Sequence, residues 1–296
     1  MATSRDGWGW HSGERITPEL TVLRLLGGGS AYEAYLAFDD LTWSPVVVKV
    51  VRPAQVVREG TLRGLRREVA TLESVRHPAV VRALRAELDG ERPHVVLENL
   101  DGPRLSTLIR RYGPLEPAQY LPLGIEVAAA AHYFGRQGLV HLDIKPSNVI
   151  MGAPAKLIDL SVARSVEEAA ALEQPVGTDA YMAPEQCNPT GSGDLGPPAD
   201  VWGLGATLFE AIAGHRAFDD AAAAGTALAG GYAQPLPSPQ PLPERTPAPV
   251  ADVVLACLET DPVVRPAPSE VADALGSVLE RLPRGSLGGF KEALVR

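Results

Sequence analysis

The chain has 296 residues, 45% of them hydrophobic and 21% charged, with a formal net charge of −9. That length holds one large domain or two lobes around a groove, and the composition suits a packed core rather than a disordered chain. The acidic balance argues against nucleic acid as a partner.

The charge is unevenly spread. Residues 1–100 carry 13 basic and 13 acidic side chains, whereas residues 101–296 carry 14 and 23. The two cysteines, Cys187 and Cys257, have neither disulfide-framework nor metal-ligand spacing, which predicts reduced thiols in a cytoplasmic protein. No apolar run reaches membrane-spanning length, and the opening "MATSRDGWGWHSGER" lacks the apolar centre of a signal peptide. Residues 1–17 read as an N-terminal tail, with Trp8 and Trp10 able to dock on the fold.

From there "ELTVLRLLGGGSAYEAYLAFDD" predicts two strands joined by a glycine turn, and "SPVVVKVVRP" a β-branched strand carrying one lysine. "TLRGLRREVATLESV" places Leu62, Leu65, Val69 and Leu72 at helical spacing with arginines between them. "AVVRALRAEL" and "RPHVVLENL" flank Asp89-Gly90 as a hairpin. The first hundred residues are therefore sheet plus one helix. After Asp101 the pattern turns helical. "LSTLIRRYG" is a short helix and "PAQYLPLGIEVAAAAHYFGRQG" a long one, with Pro122 expected in or near its first turn. "PPADVWGLGATLFEAIAG" is apolar nearly all round and predicts a buried helix. Residues 235–249 hold seven prolines and read as a stiff connector, a polyproline ligand being the alternative.

One string stands out. In "VHLDIKPSNVI", residues 140–150, strand-like apolar stretches are broken by His141, Asp143, Lys145 and Asn148. It resembles the catalytic loop of protein kinases, a His-Arg-Asp followed by a lysine and an asparagine. Phosphoryl transfer needs a carboxylate near the attacking hydroxyl, a cation on the moving phosphate and an oxygen ligand for magnesium. The resemblance gives these roles to Asp143, Lys145 and Asn148, and leaves His141 to packing and hydrogen bonding. Leu142 stands where many kinases have arginine.

Further family motifs follow in kinase order. "LIDLSVA" resembles the Asp-Phe-Gly metal site and implies Asp159 as the second magnesium ligand, with Leu160 and Ser161 replacing the other two residues. "VVVK" resembles the strand whose lysine meets the α- and β-phosphates of ATP, which implies Lys49. "RREVATL" resembles the family's helix segment and implies Glu68 as the lysine's glutamate partner, with Glu59 and Glu73 as alternatives. "GGGSAY" resembles the phosphate-covering glycine loop. Gly27 and Gly29 fit, Leu26 precedes them, and Tyr32 replaces the third glycine. The family's valine after this loop and its alanine before the lysine are exchanged here, as Ala34 and Val47, which conserves volume above a purine. Ile150 is the implied floor of that pocket. Leu97 leads into a hinge from Glu98 to Leu100. Downstream, "GTDAYMAPEQ" resembles the peptide-binding segment, whose Glu185 is expected to pair with Arg265. Asp200 resembles the buried aspartate that holds the catalytic loop.

The resemblance spans residues 18–282 and implies an α+β, two-lobed protein kinase fold. It divides the chain into a sheet lobe at 18–100, a mainly helical lobe at 101–282 and a C-terminal tail at 283–296. The implied activity is magnesium-dependent transfer of the γ-phosphoryl group of ATP to serine or threonine of protein substrates. Lys145-Pro146 and Thr178 match the serine/threonine branch. The Ala-, Gly-, Pro- and Arg-rich composition resembles a bacterial member. A pseudokinase serving as a binding module is the alternative, raised by Tyr32, Leu142 and Ser161. A small-molecule phosphotransferase is a further one, opposed by Lys145 and the Ala-Pro-Glu segment. "VEEAAALEQPVG", residues 166–177, contains no phosphoacceptor, and Leu142 cannot bind a phosphate. The enzyme is therefore expected to work without activation-loop phosphorylation.

Overall fold

Strict alternation of side chains sorts the first hundred residues into a sheet with two unlike faces. The computed structural model describes residues 7–189, 195–218 and 238–283. The strands are β1 (Arg15–Thr17), β2 (Leu20–Gly28), β3 (Tyr32–Asp39), β4 (Ser44–Val51), β5 (Ala83–Glu87) and β6 (His94–Glu98). They form one antiparallel sheet in the order β1-β2-β3-β4-β6-β5. Val46, Val48 and Val50 of β4 join Val22, Tyr35, Ala37 and Val96 in a core on the outer face. Val47 and Val51 face the opposite way, toward helix α1 (Glu59–Ser74) and the second lobe. Lys49 shares their side by the same alternation. Helix α1 buries Leu65, Val69 and Leu72, as the periodicity predicts, and adds Glu68 to the buried face.

Within residues 1–17, read from the sequence as a tail whose Trp8 and Trp10 could dock on the fold, the described part from residue 7 onward packs on the sheet. The sheet begins at Arg15, and the preceding segment covers its outer face. Trp8 and Trp10 stack at 4.8 Å, and Trp10 meets Tyr35 at 5.4 Å. The Trp8 indole N–H donates to the Val51 carbonyl at 2.9 Å. Arg92 lies over both indoles. The reason is solvation: an outer face made of valines and a tyrosine needs an apolar cover. Residues 1–6 and most of the expected C-terminal tail, 284–296, lie outside the described residues.

The second lobe is helical. Its long elements are α2 (Leu105–Tyr112), α3 (Pro117–Arg136), α6 (Pro198–Ala213), α7 (Ala248–Cys257) and α8 (Pro268–Leu279). Two short helices, α4 (Val166–Ala170) and α5 (Pro184–Cys187), lie between α3 and α6. Helix α3 starts earlier than Pro122 suggested. Pro117 fills its first position, and the Gln119 side chain accepts from the Glu116 N–H at 3.0 Å. Pro122 is consequently interior, where it removes one helical donor. Burial of Leu121 and Leu123 on either side holds the helix together. Helix α6 is buried along almost its whole length, Trp202 and Phe209 included. At Gly203 a Cβ would stand 3.0 Å from the Ile144 carbonyl oxygen, so glycine lets α6 press on the loop at 141–148. Of the described part of the proline-rich stretch, 238–249, residues 238–247 carry neither helix nor strand and the last two begin α7. Cys187 and Cys257 are free and buried.

Glu185 and Arg265 pair as the sequence predicts, at 2.7 and 2.8 Å through both guanidinium arms. Both side chains are fully buried, and Arg265 also donates to the carbonyls of Pro198, Glu259 and Thr260. Removing one partner of such a pair strands the other charge. Arg265→Met should therefore cost on the order of 3–5 kcal/mol in urea unfolding. A loss below about 1 kcal/mol would mean that the pair does not anchor this segment.

Candidate active site

Strand register decides which side chains reach the cleft. Ala34 lies opposite Lys49, and Val47 opposite Leu97. All four share the inner side of the sheet, and Gly27 pairs with Ala34 one strand further out. Leu26, Gly27 and Gly29 are exposed at the rim. Ile150 is half-buried in a two-residue strand, Val149–Ile150, paired with Lys156–Leu157. The Glu98 N–H donates to the Arg82 carbonyl at 3.0 Å, so any hinge bond from Glu98 is one that its own carbonyl accepts. The Glu98 side chain is tied to Lys156 and to the Arg82 N–H, and turns away from that role.

Lys49 joins three elements. Its ammonium meets the two Glu68 oxygens at 2.7 and 2.8 Å and Asp159 Oδ1 at 2.9 Å. Of the three glutamates weighed for this partnership, Glu68 is the one in contact, because helical spacing turns it inward. Glu59 instead faces Arg66 near the surface. Burial alone would lower the Lys49 pKa, but the two carboxylates outweigh it and hold the ammonium above its ordinary value. Burial works to raise the pKa of Asp159, yet Lys49 beside it and a Ser161 hydrogen bond keep it well below the usual carboxylate range. Glu68 is more deeply buried, and desolvation raises its pKa despite the lysine.

The catalytic string folds around Asp143. Its Oδ1 accepts from the Thr178 hydroxyl at 2.7 Å. Its Oδ2 accepts from Lys145 Nζ at 2.7 Å and from Asn148 Nδ2 at 2.8 Å. Lys145 also reaches the Thr178 hydroxyl. With its amide nitrogen bonded to Asp143, Asn148 has its side-chain oxygen as the atom that could hold a metal. Thr178 is 35 residues from Asp143 in the chain, so folding alone brings this contact about.

Backbone strain marks the same loop. Leu142 has φ 64° and Asp159 has φ 66°, left-handed values that non-glycine residues seldom adopt. Leu142 is held there from both sides. Its N–H donates to Asp200 Oδ1 at 2.8 Å, and its carbonyl accepts from Gln186 Nε2 at 2.6 Å. The His141 N–H donates to the other Asp200 oxygen at 2.7 Å, so the aspartate holds the loop backbone as anticipated. The Leu142 side chain is 3% exposed. Gln186, which also bonds the Val176 carbonyl, escaped the sequence reading. Only its position directly after Ala-Pro-Glu could have pointed to it.

The segment between Asp159 and Glu185 is ordered by its own contacts. Arg164–Ser165 pairs with Leu139–Val140, and Ser165 then caps α4 by accepting from the Glu168 N–H at 3.1 Å. Ala169 is completely buried. Glu168 returns the capping bond by accepting from the Ser165 N–H. Arg66 of α1 pairs with Glu59 and Asp89 instead.

Comparison with known proteins agrees with this geometry. The family model described as protein kinase domain matches residues 20–275. Serine/threonine-protein kinase PrkC of Bacillus subtilis is 27% identical over 266 residues, covering 88% of this chain and 40% of that protein. Serine/threonine-protein kinase PknB of Mycobacterium leprae is 31% identical over 206 residues, covering 66% and 32%. Serine/threonine-protein kinase pkn2 of Myxococcus xanthus is 30% identical over 268 residues, covering 86% and 32%. The chain thus spans less than half the length of these relatives. With the family model matching most of its residues, on a sheet lobe joined to a helical lobe, the chain belongs to the protein kinase domain family.

Proposed function

We propose that this chain is a serine/threonine protein kinase that transfers the γ-phosphoryl group of ATP to hydroxyls of protein substrates. The observation that carries the reading is that the transfer groups stand assembled. Lys49 is seated on Glu68, and Asp143 is bonded to Thr178, Lys145 and Asn148. A binding module has no need of an aspartate held by three partners.

Asp143 orients the substrate hydroxyl and accepts its proton as the oxygen attacks phosphorus. Lys145, already beside that carboxylate, neutralises charge on the moving phosphoryl group. Lys49, fixed by Glu68, meets the α- and β-phosphates. The purine fits between Ala34 and Val47 above and Ile150 below, with Leu26, Leu97 and the Glu98–Leu100 backbone at its edges. Asn148 and Asp159 supply hard oxygen donors. Among the described residues no cluster of three His, Cys, Asp or Glu side chains holds a metal alone. Asn148 and Asp159 would hold Mg2+ together with phosphate and water oxygens, a donor set that suits that ion. When bound, Mg2+ supplies a Lewis acid that neutralises charge on the phosphates. Two buried free thiols fit a reducing, cytoplasmic setting, and no described helix is long and apolar enough to cross a membrane.

Three outcomes test this reading. Asp159→Ala should lower magnesium-dependent turnover by about a hundredfold to a thousandfold in a chain that still folds, with some loss of melting temperature from the lost Lys49 contact; wild-type turnover in that variant rejects the metal assignment. In a double-mutant cycle, Lys49→Met and Glu68→Gln should couple by on the order of 1–3 kcal/mol in activation free energy, because they act as one unit. Additive losses would separate them. Phosphatase-treated enzyme should start at its full rate with no lag, since Leu142 offers no donor to a phosphate and α4 is already capped and packed. Recovery of a lost rate through a phosphate mapped to residues 161–181 would overturn that expectation.

A further inference from the structure

Tyr32 stands outside the roles assigned above. It takes the place of the third loop glycine, at the start of β3 and opposite Val51. Its hydroxyl donates to the Thr61 carbonyl in the first turn of α1 at 3.0 Å. The Lys49 ammonium lies over its ring, 4.9 Å from the centroid. One half-buried side chain therefore touches both the lysine and the helix that carries its partner.

Helix α1 is built to need such a contact. Its N-cap residue, Arg58, makes no side-chain capping bond. Gly60 and Gly64 fall in its first half, and glycine weakens a helix relative to alanine. Gly64 lies against the tyrosine: a Cβ there would stand 3.1 Å from the phenol oxygen. The missing side chain makes room for the hydroxyl. An outward swing of α1 would separate Glu68 from Lys49 and break the Tyr32–Thr61 bond together, so the bond favours the seated state. Burial raises the phenol pKa above its ordinary value, which keeps it a donor through the neutral range.

We propose that Tyr32 is a positioning residue that latches α1 to the glycine hairpin and so holds Glu68 on Lys49 without help from the activation segment. This rests on the kinase reading, because the Lys49–Glu68 pair is what the latch serves.

The test uses the full chain and three readouts: amide hydrogen exchange across residues 60–68, kcat and KM for ATP and for a protein substrate, and thermal melting. Tyr32→Phe keeps the ring and loses one hydrogen bond. Exchange in α1 should quicken about fivefold, and kcat/KM for ATP should fall by a similar factor with the KM for protein substrate unchanged. Tyr32→Gly, which restores the family glycine, should lower kcat/KM further, by about tenfold, counting the lost ring contact as comparable to a weak hydrogen bond. Gly64→Ala should impair the Tyr32 protein by crowding the hydroxyl, yet return α1 protection in the Tyr32→Phe background, where alanine only strengthens the helix. Wild-type exchange and equal or higher turnover in Tyr32→Gly would overturn the latch. So would faster exchange spread evenly over the chain with a lower melting temperature, which marks a general fold residue. Should Tyr32→Gly fail to fold, Tyr32→Phe and its Gly64→Ala partner decide the matter alone. Exchange reports on the latch even where turnover is absent, whereas a wild-type chain that transfers no phosphate fails the kinase reading and leaves the exchange result standing.

Discussion

One ammonium holds the working parts together. Lys49 on the sheet lobe binds Glu68 from α1 and Asp159 from the helical lobe, 110 residues away in the chain. A buried cation without these carboxylates would shed its proton or leave the interior. With them it sets the angle of α1 and fixes where the metal-motif aspartate meets the sheet. The alternation of β4 that points Val46, Val48 and Val50 outward is what aims Lys49 into the cleft.

A second set of contacts fixes the catalytic loop from below. Asp200 takes the N–H groups of His141 and Leu142, and Gln186 takes the Leu142 carbonyl. These bonds offset the cost of the left-handed Leu142, and its buried side chain adds apolar packing. An arginine at this position would bring a charge that needs a phosphate or another anion as partner. Leucine brings no such charge, and the Ser165 cap and buried Ala169 give the neighbouring segment local contacts of its own.

The small lobe shows the same economy. Its outer face would expose valines and a tyrosine to water were it not for Trp8 and Trp10, which Arg92 covers in turn. The Trp8 N–H also bonds Glu33, whose carboxylate lies 3.5 Å from Arg52, and Arg52 donates to the Gly29 carbonyl. The segment before β1 is thereby connected to the glycine hairpin between β2 and β3. Tyr32 approaches that hairpin from the other side.

Local chemistry was legible wherever the residues act at short range in the chain. Alternation in "VVVKVV" and helical spacing in "RREVATLESV" determined the strand and the helix, and motif context singled out Glu68 among three glutamates. The fixed offsets of Asp143, Lys145 and Asn148 determined one loop with three adjacent groups. Even the Glu185–Arg265 pair was readable, through its motif contexts. Four features needed the tertiary structure. Trp8 and Trp10 became part of a core only because the folded sheet has an outer face to cover. Pro122 became interior because the capping pair at Glu116 and Gln119 set the helix start. Gln186 gained its role from two carbonyls that approach it only after folding. Tyr32 read as a lost glycine, and only the packing of α1 over β3 gave its hydroxyl the Thr61 carbonyl and its ring the Lys49 ammonium. Spacing along the chain fixes neighbours within a strand or a turn, whereas contacts between elements depend on how their faces meet.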